Sequence, residues 1–139
     1  MKVAVYDRYW STGGGGEKFA AGVAAALADE HDVHLLAHEP VDLTWLGERL
    51  LLDLSGVAVD VLDDDLGVTR ASAAYDLFVN ASYLSWDANR ARRGLFIVHF
   101  PGPRPGRAEQ ARRWIAGRAR GPLAGDGATV ELGERFYTP

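Results

Sequence analysis

Four consecutive glycines, Gly13 to Gly16, followed by Glu17 and Lys18, stand between an apolar opening run and an alanine-rich segment. Glycine loses more conformational freedom on folding than any other residue, so a run of four needs a physical reason. Bare backbone lets amide N–H groups approach a ligand without side-chain obstruction, and a helix starting there adds unpaired donors and the positive end of its dipole. That chemistry suits an anionic or hydroxyl-rich ligand; the plainer alternative is a turn that tolerates glycine. His99 closes the run "GLFIVHF". It would either hydrogen-bond a ligand hydroxyl or sit in the core satisfied by backbone. Asn80 closes another apolar run, "YDLFVN", and reaches toward the same crevice if both runs are strands of one sheet.

The other chemistry-bearing residues give weaker patterns. Asp63, Asp64 and Asp65 contain an Asp-x-Asp whose hard oxygens would suit magnesium or manganese, although three aspartates in a turn are more often a solvated surface. No metal is expected. His34 and His38 are four apart, which on a strand separates them by about 13 Å, too far to share a metal, so both are expected to be structural. Tyr83 and Trp86 are candidates for an apolar or sugar-stacking wall, with packing the safer assignment. Two nucleotide fingerprints fail. The phosphate-binding loop needs Lys directly after its last Gly, where Glu17 intervenes, and the dinucleotide pattern starting at Gly13 meets Lys18 at its third glycine position. Glu39 is the one residue placed to imitate a ribose-binding acid.

The elements that must position these residues follow from periodicity. Residues 3–9 predict a strand, and residues 17–30 a helix with Ala20, Val23, Ala24 and Leu27 on one face. Further strands are expected over 32–37, 57–62, 75–80 and 94–100. Helices are expected over 44–54, with Thr44 as its cap and Ser55-Gly56 closing it, and near 68–74. Near-continuous apolar strands alternating with helices predict an α/β fold, a Rossmann-like doubly wound parallel sheet covered on both faces. Beyond Pro101 the sequence changes character, with a helix expected over about 108–119 and one more strand in "TVELG".

Composition bounds the function classes. The chain has 139 residues, 47% hydrophobic and 24% charged, enough for one core and too apolar for a mainly disordered chain. It has no cysteine, which excludes disulfides and thiolate chemistry. No apolar run approaches the roughly 18 residues that cross a bilayer, and the expected location is cytoplasmic. A net charge of -4 argues against nucleic acid. Six arginines nevertheless face only Glu109 across residues 104–120. They form either a solvated helix face or, with Trp114 and Ile115, a peripheral contact with an anionic membrane at its inner face.

Taken together, the opening strand, the "GGGGEK" loop, "YDLFVNASYLS" and "GLFIVHFPGP" resemble the amino-terminal, acceptor-side domain of family 4 glycosyltransferases of the GT-B fold, over roughly residues 1–103. The resemblance implies transfer of a glycosyl unit, with retention at the anomeric carbon, from a nucleotide-diphosphate sugar to a hydroxyl acceptor, a lipid-linked one included. The nucleotide sugar is a substrate, and no cofactor or metal is implied. Matched residue by residue, Gly14, Gly15, Gly16 and Glu17 correspond to the family's glycine-rich loop, which faces the donor phosphates and acceptor. His99 corresponds to the histidine that contacts the transferred sugar. The family's donor-binding half has no counterpart in residues 1–139, which are expected to form a truncated amino-terminal domain inactive alone. The competing expectation is a non-catalytic Rossmann-like module that binds a nucleotide or another anion.

Overall fold

The computed structural model describes residues 1–63, 65–83, 85 and 87–99. The helix and strand expected beyond Pro101, the basic segment 104–120, Asp64 and Trp86 lie outside the described residues. Five strands, β1 (Lys2–Tyr6), β2 (Asp32–Ala37), β3 (Val57–Val61), β4 (Leu77–Asn80) and β5 (Arg93–Phe96), form one sheet in the order β3-β2-β1-β4-β5. Every pairing is parallel; Val5, at the centre, is in register with Leu35 of β2 and Val79 of β4. The fold is Rossmann-like, as the alternation of apolar strands and helices predicts.

Among the described residues three α-helices cover the sheet: α1 (Gly15–Ala28), α2 (Leu43–Leu50) and α3 (Asp65–Ser72). Side chains alternate across a strand. Val3 and Val5 therefore join Val33, Leu35 and Val79 beneath α1 and α2, while Ala4 and Tyr6 join Leu36, Phe78 and Val68 of α3 on the opposite face. Each large apolar side chain so buried contributes about 1.5–3 kcal/mol. Alanines at positions 20, 21 and 24 form the buried stripe of α1 and let it lie close to the sheet. Val23, expected on that stripe, is only half-buried, because Ala21 takes the position nearer the core.

The helices differ from expectation in their bounds: α1 starts and ends two residues earlier than 17–30, α3 lies over Asp65–Ser72 rather than near 68–74, and both ends of α2 are shifted. Asp42, not Thr44, caps α2: its Oδ1 accepts hydrogen bonds from Thr44 N at 2.9 Å and Trp45 N at 3.0 Å. A carboxylate on the residue before the first turn reaches both free amides. The same helix ends at Leu50 rather than Leu54, because Leu51 turns left-handed at φ 59° and its amide closes on Gly47 O. Strand β1 likewise stops at Tyr6 instead of residue 9, and β5 at Phe96 instead of residue 100. Val61, the last residue of β3, is exposed, and β3 is an edge strand of the sheet.

Candidate functional site

In a parallel sheet every strand ends on the same side, and that edge carries the loops that can receive a ligand. Here the edge gathers Asp7 after β1, the glycine loop entering α1, Asn80 and Ser82 after β4, and His99 after β5. The approach to it starts with Trp10, whose short 3-10 turn (Trp10–Thr12) tucks the indole into the core and donates from Nε1 to Leu36 O at 3.0 Å. That anchor sets where the glycines begin.

The four glycines divide into different roles. Gly13 is buried, with φ 55° in the left-handed region, and a methyl group there would lie 3.0 Å from Arg49 Cγ and 3.1 Å from the Trp45 ring. It is a left-handed turn residue packed on α2. Gly14 and Gly15 are exposed and Gly16 is half-buried. At Gly14 the amide donates to Glu17 Oε2 at 2.6 Å, and a methyl group would sit 2.8 Å from the same oxygen. This is one half of a capping box, because Gly14 has no side chain to return the bond. The amides of Gly15, Gly16 and Glu17 form the first turn of α1, where no carbonyl of the helix lies behind them. A methyl group on Gly16 would lie 4.0 Å from His99 Nε2, so His99 borders the loop.

His99 donates from Nε2 to Ala81 O at 3.0 Å and meets Phe19 edge-to-face at 5.7 Å. A carbonyl only accepts, so Nε2 carries the hydrogen and Nδ1 is the other ring nitrogen, free of that duty. Asn80 is buried, and both ends of its amide bind the following loop: Oδ1 accepts from Ser82 N at 3.2 Å and Nδ2 donates to Ser85 Oγ at 3.0 Å. Ser85 passes its own hydroxyl hydrogen to Asp87 Oδ2 at 2.6 Å, and Ser82 Oγ accepts from Arg8 N at 3.1 Å. Asn80 thus fixes the loops flanking the crevice.

Asp7 is the functional candidate that periodicity hides, since it reads as one more position of a strand over 3–9. Its side chain is 1% exposed and accepts from Tyr9 N at 2.9 Å. Burial pushes its carboxyl up to about 6 and the charge of Glu17 adds to the rise, while the Tyr9 amide, His99 and the Arg8 amide act in the opposite direction. A buried carboxylate with a raised pKa at the ligand edge of a parallel sheet is a physical mark of a site. The signal in the sequence was an acidic residue directly after four apolar ones, just before the glycines.

The remaining candidates make contacts of their own. His34 Nε2 lies 3.1 Å from Asp32 Oδ1, and its Nδ1 lies 2.9 Å from Asp60 Oδ2, which also accepts a short hydrogen bond from Tyr75 Oη. His38 Nε2 is 3.0 Å from Tyr6 Oη. The two histidines therefore make separate contacts. Among the described residues no group of three or more His, Asp or Glu side chains is placed to hold a metal. Glu39 and Tyr83 are exposed.

No protein-family model, curated protein or solved structure matches this chain. The likeness to family 4 glycosyltransferases rests on the residues quoted above. Among the described residues no helix is long and apolar enough to cross a membrane.

Proposed function

We propose that this chain is the acceptor-side domain of a glycosyltransferase resembling family 4, moving a glycosyl unit from a nucleotide-diphosphate sugar to a hydroxyl. The observation that carries this reading is the convergence of the α1 first-turn amides, Glu17 and His99 on one edge of a parallel sheet. Open amides and carboxylate oxygens together match sugar hydroxyls, which both accept and donate. Nδ1 of His99 is the nitrogen free to meet a ligand hydroxyl, because Nε2 is committed to Ala81. On this reading the donor is held mainly by a second Rossmann-like domain, transfer proceeds with retention, no metal or cofactor takes part, and the domain works in the cytoplasm. A lipid-linked acceptor would bring the basic segment 104–120 against the inner face of an anionic membrane.

A second reading is favoured by one observation, the strand order β3-β2-β1-β4-β5 with a glycine loop after β1, which is shared with dinucleotide-binding sheets. On that reading the chain is a non-catalytic nucleotide- or anion-binding module. Calorimetry with nicotinamide dinucleotides and with a panel of neutral methyl glycosides separates the two. The transferase reading expects heat from a glycoside and none from the dinucleotides; tight dinucleotide binding would remove it.

A further inference from the structure

His34 lies between two carboxylates. Its Nε2 is 3.1 Å from Oδ1 of Asp32, the first residue of β2, and its Nδ1 is 2.9 Å from Oδ2 of Asp60 in β3. A carboxylate oxygen only accepts, and so does a ring nitrogen without hydrogen. Hydrogen on both nitrogens satisfies both contacts, whereas the neutral ring must set one lone pair against an oxygen. The two contacts are unequal. Nε2 makes a hydrogen bond to Asp32, which is largely exposed; Nδ1 is sealed from solvent and meets Asp60 as an ion pair without the alignment of a hydrogen bond. Stripped of its hydrogen, that buried nitrogen would have neither water nor a donor to meet it.

The other groups around the ring complete the cluster. Tyr75 donates its hydroxyl hydrogen to the same Oδ2 of Asp60 and sets its ring edge-to-face with His34 at 5.6 Å. Lys2 Nζ, from β1, lies 4.8 Å from the centre of the Tyr75 ring, and Asp76 is engaged by the Lys2 backbone amide. One oxygen of Asp60 thus joins three elements: β3, which carries it, β2 through His34, and the segment entering β4 through Tyr75. In this sheet β3 pairs with β2 alone. A strand hydrogen-bonded on one side opens more readily than a central one, so side-chain ties have a larger share in holding it.

We propose that His34 is a proton-operated latch on the edge strand β3, closed when both ring nitrogens carry hydrogen and released at Asp60 when Nδ1 gives its hydrogen up. The proton leaves to solvent, Nε2 keeps its bond to Asp32, and Asp60 keeps Tyr75 alone. The device is independent of the transferase reading, since none of its residues belongs to the glycine-loop edge.

The test is heteronuclear NMR of the full 139-residue chain at about pH 5 and about pH 9, on either side of the ordinary histidine range. Imidazole correlations report which nitrogens of His34 carry hydrogen. Amide exchange, corrected for its intrinsic pH dependence, reports the opening of β3. The native chain is expected to show hydrogen on both nitrogens at the lower pH and a bare Nδ1 at the higher, with protection of the β3 amides falling by about tenfold. In His34→Gln and in Asp60→Asn that protection is expected to stay level, while Asp7 and the other histidines titrate as in the native chain. A bare Nδ1 at the lower pH, a ring unchanged between the two, native protection that stays level, or a fall that survives in either folded variant would overturn the proposal.

Discussion

The carboxylate of Glu17 and the amide of Gly14 are joined by a 2.6 Å hydrogen bond, and a methyl group at position 14 would stand 2.8 Å from the accepting oxygen. The bond stiffens the entry to α1, and it determines what the glycine run costs and offers. Gly13 is required by its left-handed backbone and its packing on Trp45 and Arg49, whereas at Gly15 an added methyl group would meet nothing within 4 Å.

Substitutions along the run should therefore diverge. Gly13→Ala places a side chain at φ 55° and against Trp45 and Arg49, and it is expected to destabilise the fold by roughly 1–2 kcal/mol. Gly15→Ala, at the first position of a helix, is expected to be neutral or to stabilise by up to about 1 kcal/mol. Urea unfolding of the two variants checks this; equal effects would mean that the run is conformationally uniform.

Asp7 should cost stability at neutral pH. Its carboxyl is raised from an ordinary 3.8 to about 6 in the folded chain, so the native state binds this proton more tightly than the unfolded state does. The sign follows: stability is greatest below the unfolded value and falls as pH rises toward 6, then stays lowered. Asp7→Asn removes the charge and keeps an oxygen for the Tyr9 amide. It is expected to be more stable than the native chain by about 1–3 kcal/mol at pH 7.5. The difference should shrink toward pH 4, as measured by thermal unfolding at both pH values. A variant less stable at pH 7.5 would contradict the assignment.

Much of this fold was legible in the residues because the strands are short apolar runs and the helices between them are periodic. Strand β2 has the same bounds in sequence and structure, since Asp32 opens it and the turn toward Pro40 closes it. Strand β1 was read too long because Asp7, Arg8 and Tyr9 continue an alternating pattern while the backbone has already left the sheet. That error hid the buried carboxylate. Asn80 could be placed at the crevice from its position, but its bonds to Ser82 and Ser85 depend on how the loop folds back, which periodicity does not encode. The glycines could be placed at the carboxyl edge of the sheet from the sequence; the bond from Gly14 to Glu17 needed coordinates.

The ends of α2 give an independent check on local reasoning. Asp42→Ala removes the acceptor for two amides and is expected to cost about 1 kcal/mol, whereas Thr44→Ala should change stability by less than about 0.5 kcal/mol. At the other end Leu51 is exposed and left-handed, so Leu51→Gly is expected to leave stability unchanged or raise it slightly. Chemical denaturation of the three variants decides the order.

Tyr75 should resist ionisation. Its burial, reinforced by the hydrogen bond to Asp60 and the charges of Asp60 and Asp32, raises its phenol well above the usual tyrosine range. Ultraviolet titration of the native chain against Tyr75→Phe should show no tyrosinate lost at pH 10 on substitution. A lost absorbance there would mean that the phenol is open to solvent.

The account stands most directly on where a neutral sugar sits. A crystal structure of the chain with a methyl glycoside is predicted to place ring hydroxyls within hydrogen-bonding distance of the Gly15 and Gly16 amides and the Glu17 carboxylate, with His99 alongside. A glycoside bound elsewhere, with that edge left to solvent, would contradict it.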